Sequence, residues 1–216
     1  MDGDYKRAVV EAGKTMLHSG LTVETWGNIS VRNREAGQVY ITPSGLPYDE
    51  LLEDDVVTVG LDGRVLKGHR RPSVETPLHV AVYKARMDVD AVLHTHPIYS
   101  TVFSCMDEDI PLFIDEAAQT LGDTVRTAKY ALPGSPELAQ NCVAALGRKA
   151  NACLLKSHGA VCVGKNLAAC FRTATVLEMT ARVLQLIRSM GGTFHPLSDE
   201  NIAATRELVK KTRYGQ

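Results

Sequence analysis

Ala91-Val92-Leu93 runs directly into His94-Thr95-His96, and this junction constrains the chain more than any other stretch. With Asp90 before it, the apolar run reads as a short buried strand. Side chains alternate along a strand, so His94 and His96 point the same way. Two imidazoles held side by side on a rigid strand form half of a metal site. Zinc takes nitrogen and oxygen donors in a tetrahedron, and a catalytic zinc leaves one position open for water or substrate. The plain alternative is two unrelated histidines near a strand end. The choice turns on whether the chain supplies a third donor and a carboxylate.

Ser157-His158-Gly159 supplies the first. It breaks an apolar pair of strands, Ala152–Lys156 and Ala160–Val163, at a glycine that lets the backbone turn while the histidine reaches away. Beside His94 and His96 it is the natural third nitrogen donor. Glu75 is the carboxylate candidate. Arg71-Pro72-Ser73 precedes a helix expected over about 74–86, with Ser73 as N-cap and Glu75 and Pro77 in its first turn. There Glu75 either answers the helix dipole alone or stands, rigidly held, near a metal or a substrate C–H. His79, one turn later, packs or orients a neighbour rather than binding metal.

The other segments frame these. A helix is expected over 4–19, stopped by Gly20, and a strand follows Thr25-Trp26-Gly27-Asn28-Ile29-Ser30. A second strand covers Gln38–Thr42, and a hairpin joins Val56–Val59 to Val65–Lys67 around Asp62-Gly63. Tyr99–Phe103 reads as a short helix and Ser135 opens another, to Leu146. A long helix over 166–190 is apolar on nearly all sides, which suits a core or a subunit interface. Its acid, Glu178, is expected to pair with a neighbouring base. Ser198 caps a last helix running toward Tyr214. Gly27-Asn28 and Ser44-Gly45 are small, polar loops of a kind that can cradle phosphate, although such loops are more often plain turns.

Composition narrows the function. The 216 residues suit a single domain over 1–216. The net charge of −1, with no basic stripe, argues against a nucleic-acid partner. Five cysteines, an odd number without a CxxC pair, read as free thiols in a reducing cytoplasm. No apolar run reaches membrane-spanning length, and Met1-Asp2-Gly3-Asp4 is unlike a signal peptide.

Taken together, Gly27-Asn28-Ile29-Ser30, Thr42-Pro43-Ser44-Gly45, Ser73-x-Glu75, His94-Thr95-His96-Pro97 and Ser157-His158-Gly159 resemble the class II aldolase/adducin family, in order and along essentially the whole chain. The L-fuculose-1-phosphate aldolase type is the nearest in pattern. The resemblance implies an α/β/α fold of three layers with a mainly antiparallel central sheet, and a homotetramer with sites at its subunit interfaces. It implies one zinc, or another divalent metal, per chain on His94, His96 and His158, with Glu75 as a further ligand and catalytic base. It implies a sugar-phosphate substrate whose phosphate meets Gly27, Asn28, Ser44, Gly45 and Ser73. Tyr214 matches a C-terminal tyrosine that the family supplies from a neighbouring subunit.

Two positions depart from that pattern. Val74 stands where the aldolase type tends to carry a second serine. Asp115-Glu116 stands where it carries the tyrosine that protonates the aldehyde, so Glu116 is the candidate for that task. The expected activity is retro-aldol cleavage of a ketose 1-phosphate to dihydroxyacetone phosphate and an aldehyde. Competing readings are a pentulose-5-phosphate 4-epimerase, a sugar-phosphate decarboxylase or dehydratase of the same family, and a non-catalytic, adducin-like interaction module. Glu75 favours the aldolase over the epimerase, which tends to carry aspartate there. The complete histidine set argues against the interaction module.

Overall fold

The computed structural model describes residues 2–212. Helix α1 (Asp2–His18) leads to strands β1 (Asn28–Asn33), β2 (Gln38–Ile41), β3 (Val57–Gly60) and β4 (Val65–Lys67). Helix α2 (Thr76–Ala85), β5 (Ala91–Thr95), α3 (Ile98–Met106), α4 (Asp115–Thr120), β6 (Thr127–Ala128) and α5 (Pro136–Leu146) follow. The chain continues with β7 (Ala152–Leu155), β8 (Gly159–Gly164), α6 (Leu167–Ser189) and α7 (Asp199–Thr212).

The strands form one eight-stranded sheet in the order β4-β3-β2-β1-β5-β8-β7-β6. Every pairing is antiparallel except β6 with β7. The expected mainly antiparallel sheet is therefore present. Alternation along the strands divides the core between the two faces. Ile29, Val31, Ala91, Leu93, Ala160 and Cys162 pack with residues of α1, α3, α4 and α6. Val39, Ile41, Val92, Val161 and Val163 pack with residues of α2 and α5.

Several expectations need correction. Helix α2 begins at Thr76, and Glu75, not Ser73, occupies its N-cap position. Pro77 explains the shift. Capping at Ser73 would require the residue-77 N–H to make the first intrahelical bond, and proline has none. With Glu75 as cap, that first bond runs from His79 N to Glu75 O at 3.3 Å. Ser73 Oγ instead accepts the Glu75 N–H at 3.2 Å, closing a turn before the helix. Among the described residues Glu178 pairs with no base: its carboxylate accepts from the N–H groups of Tyr99 and Ser100, each at 2.8 Å. These are unbonded donors of the first turn of α3, which a carboxylate satisfies well. Strand β6 and helix α4 lie where no element was expected.

The antiparallel register sets the start of β1 beside the end of β5 and the start of β8. Asn28 pairs with His94, and His94 with Val161. At the other end of β1, Arg32 holds the sheet to α2. Its buried guanidinium donates to the carbonyls of Tyr83, at 2.9 Å, and Val89, and to the Asp90 carboxylate at 3.1 Å. Arg32→Met should therefore lower unfolding stability by roughly 3 kcal/mol, because buried acceptors lose their donors. Urea denaturation checks this; a change below about 1 kcal/mol would show that solvent takes over those contacts.

Candidate functional site

Four side chains converge at the end of the three central strands. His94 and His96 come from β5 and the residue just past it, in phase with Val92 and so on the α2 face. His158 comes from the turn between β7 and β8, where Ser157 takes a left-handed φ of 56°. Glu75 comes from the N-cap of α2. His94 donates its Nδ1–H to the Ala160 carbonyl at 3.0 Å, which leaves the lone pair on Nε2. The Nε2 atoms of His96 and His158 lie 2.9 and 3.2 Å from it.

Two glycines allow the closeness. A Cβ on Gly27 would stand 2.4 Å from the His94 carbonyl oxygen, and one on Gly159 would stand 2.4 Å from that of Thr95. Any side chain there would push the neighbouring strands off β5. Tyr48 fixes the first of these turns, donating its hydroxyl to the Gly27 carbonyl at 2.8 Å. Nothing in the sequence pattern marks Tyr48 for this task.

The carboxylate of Glu75 completes the cluster. Its Oε2 lies 3.2 Å from His94 Nε2, and its Oε1 lies 3.8 Å from His158 Nε2. Glu75 is 4% exposed, and Oε1 has no hydrogen-bond partner among the described residues. A buried acceptor without a donor is costly unless something else satisfies it. Three histidine nitrogens within 4.8 Å of one another beside such an oxygen fit a divalent cation.

Burial keeps the imidazoles neutral, as a metal requires. The low-polarity surroundings pull His94 down to about 4, and the Ala160 contact opposes this only in part. Burial likewise holds His96 at about 3 and His158 at about 4.

A pocket of about 540 Å³ opens over the cluster, and Gly27, Asn28, Ser44, Gly45, Ser73, Glu75, His96 and His158 all line it. The loop 42–45 reaches Ser73 because the two segments pair: Ser44 N–H bonds the Arg71 carbonyl and Ser73 N–H bonds the Thr42 carbonyl, both at 3.0 Å. Glu116 does not line this pocket; it is exposed on α4, beside a separate hollow. Tyr214 lies outside the described residues.

The model of the class II aldolase and adducin N-terminal domain matches residues 7–185. This chain belongs to the class II aldolase and adducin family. It is 36% identical over 186 residues to a 5-deoxy-D-ribulose 1-phosphate aldolase of Bacillus thuringiensis, covering 86% of each chain. It is 32% identical to the L-fuculose phosphate aldolase of Escherichia coli, covering 94% of this chain and 93% of that one. A solved L-fuculose 1-phosphate aldolase superposes with a TM-score of 0.91 at 35% identity over 96% of both chains. With these kin, the protein is a metal-dependent lyase of the class II aldolase family.

Two outcomes follow from the geometry. Calorimetric titration should find about one divalent ion bound per chain. His158→Ala should weaken that binding by more than the roughly 10–100-fold that a lost supporting hydrogen bond costs. Unchanged affinity would remove His158 from the donor set.

The second outcome concerns pH. His79 and His94 are fully buried, and burial holds them at about 3 and about 4. An unfolded histidine titrates near 6.5, so below that value the unfolded chain takes up protons that the folded chain refuses. Stability of the metal-free protein should be complete above about pH 7 and fall toward pH 4, with a slope that reaches at least ~2.7 kcal/mol per pH unit from these two rings, to which His96 and His158 add. Urea midpoints at about pH 7.5, 6 and 5 test this; a flat profile would mean that these rings charge in place.

Proposed function

We propose that this protein is a zinc-dependent aldolase that cleaves a ketose 1-phosphate to dihydroxyacetone phosphate and an aldehyde. The observation that carries the reading is the meeting of three imidazole Nε2 atoms with one buried carboxylate at the floor of a polar pocket. His94, His96 and His158 would hold the ion, with Glu75 as a further donor. When bound, the ion supplies positive charge against the negative charge that develops on the substrate oxygens.

The chain's own groups divide the remaining work. Gly27 and Gly45 bring main-chain N–H groups toward the phosphate, and Asn28, Ser44 and Ser73 add side-chain donors. Ser73 accepts from the Glu75 N–H, which leaves its hydroxyl proton to donate. Held at its phosphate, the substrate places C3 near Glu75. The C3–C4 bond breaks, its electron pair stays on C3, and the C4 hydroxyl loses its proton as it becomes the aldehyde. Glu75, a carboxylate at rest, takes up a proton from solvent and delivers it to C3, which completes dihydroxyacetone phosphate and returns Glu75 to the carboxylate form. We assign the C4 hydroxyl proton to Glu116 of a neighbouring copy, in a homotetramer whose sites lie between subunits. Tyr214 of that copy would close the pocket.

The sugars named for the relatives, 5-deoxyribulose and fuculose, both end in a methyl group. Beside His96 an apolar hollow of about 530 Å³, lined by Val23, Trp26, Ile98, Val102 and Met106, suits such an end. We therefore read the substrate as a ketose 1-phosphate with a deoxygenated terminal carbon. Among the described residues no helix is long and apolar enough to cross a membrane. The five cysteines are free thiols, which fits work in a reducing cytoplasm.

A panel of ketose phosphates, coupled to detection of dihydroxyacetone phosphate with and without added zinc, tests the reading. Zinc-dependent release from 5-deoxyribulose 1-phosphate or L-fuculose 1-phosphate is the expected result. Interconversion of pentulose 5-phosphates without triose release would replace the aldolase with an epimerase. Glu75→Gln should retain the metal and lower kcat at least ~100-fold, the usual worth of a positioned proton-transfer group. A rate near that of the unmodified enzyme would end its role as proton carrier.

A further inference from the structure

Behind Glu75 a line of hydrogen bonds runs inward between α2 and β1, away from the pocket. Asn28 Nδ2 lies 2.7 Å from Glu75 Oε2, and Asn28 Oδ1 lies 2.5 Å from His79 Nε2. Ser30 Oγ lies 2.6 Å from His79 Nδ1 and 2.8 Å from the Tyr83 hydroxyl. His79, Ser30 and Tyr83 are completely buried, and Asn28 is 5% exposed.

The chemistry permits one polarity. A carboxylate oxygen only accepts, so the NH2 of Asn28 faces Glu75 and its carbonyl faces His79. His79 must then donate from Nε2, which makes Nδ1 the acceptor. The Ser30 hydroxyl gives its proton to Nδ1, and the Tyr83 hydroxyl donates to Ser30 Oγ. Every step points toward the carboxylate.

We infer that His79 is a positioning residue for Glu75: with Ser30 and Tyr83 behind it, it locks the Asn28 amide so that the carboxylate presents Oε1 to the pocket. Only the consequence for turnover rests on the proton role proposed for Glu75; the orientation itself does not. Burial supports the neutral ring, since desolvation holds His79 at about 3 and neither of its two hydrogen-bond partners, Asn28 and Ser30, carries a charge.

A buried polar cluster that merely joined a helix to a sheet would show the same contacts, so the test separates the two. Nitrogen-15 spectra of the imidazoles should show His79 as the neutral tautomer protonated on Nε2. Exchange of the Asn28 side-chain protons should quicken at least ~10-fold in His79→Leu and stay slow in His79→Gln, whose amide keeps an N–H near the Nε2 position. His79→Leu should lower kcat by roughly 10–100-fold, the usual effect of a lost supporting bond, while KM and zinc content hold; His79→Gln should recover most of that loss. Protonation on Nδ1, or two variants equally impaired in proportion to their lost stability, would overturn the inference. If the unmodified protein cleaves no ketose 1-phosphate, the functional reading fails, while the tautomer and exchange measurements still decide the orientation.

Discussion

The bond from His94 Nδ1–H to the Ala160 carbonyl is the contact on which the site depends. It crosses from β5 to β8, so the sheet register and the ring's tautomer are set together. With the proton held on that side, Nε2 has a lone pair to offer, and the rings of His96 and His158 meet it there. The same ring would be a poor ligand if it turned, since a protonated Nε2 cannot bind metal. A backbone acceptor in a fully buried strand pair has few ways to move, which makes it a firm anchor.

A matching of periods places the acid against these rings. Glu75, His79 and Tyr83 recur every four residues on α2, a spacing of about 6 Å along a helix. Asn28, Ser30 and Arg32 recur every two residues on β1, about 6.6 Å along a strand. The two rows therefore face each other in step. Glu75 meets Asn28, His79 meets Asn28 and Ser30, and Tyr83 meets Ser30 and, across its ring, the Arg32 guanidinium at 5.1 Å. A polar stripe inside a core is acceptable only when each member finds its partner, and here the partners are provided in sequence.

Local rules made much of this legible. Short apolar runs and turn residues mark seven of the eight strands, and the strand carrying His94 puts His96 on the same face without any knowledge of the fold. Ser135 and Ser198 cap their helices as their neighbours suggested, with Ser135 Oγ accepting from Leu138 N at 3.1 Å and Ser198 Oγ from Asn201 N at 3.2 Å. The failures have particular causes. Ser73 has the residue type and spacing of a cap, but Pro77 removes the N–H that a helix capped there would need. Strand β6 has two residues, too few for any period to show. Helix α4 begins with two acids that read as plain surface. His79 reads as a residue that packs or orients a neighbour, but its partners, Asn28 and Ser30 on β1, lie 51 and 49 positions away, and no local pattern joins them.

Glu116 stands away from the pocket, on the helix against which α7 packs. Helix α7 has no fully buried residue; Ile202 packs against the core, and the Arg206 guanidinium ties the helix to the α4 region by donating to the carbonyls of Ala118 at 2.9 Å and Gly122 at 2.7 Å. Helix α4 carries Glu116, and Tyr214 follows two positions after the end of α7. A neighbouring copy that brought Glu116 to this pocket would bring the end of α7 with it. Such an interface would supply the acceptor that the proposed reaction needs for the C4 hydroxyl proton. The exposed apolar side chains beside His96, Trp26 at 58% and Ile98 at 74%, are of the kind such an interface would cover. On this view the three histidines and Glu75 are the part of the site that one chain builds alone, because donor nitrogens must be fixed to within fractions of an ångström and a single sheet does this best. Groups that need only arrive with the substrate can come from a less rigid edge.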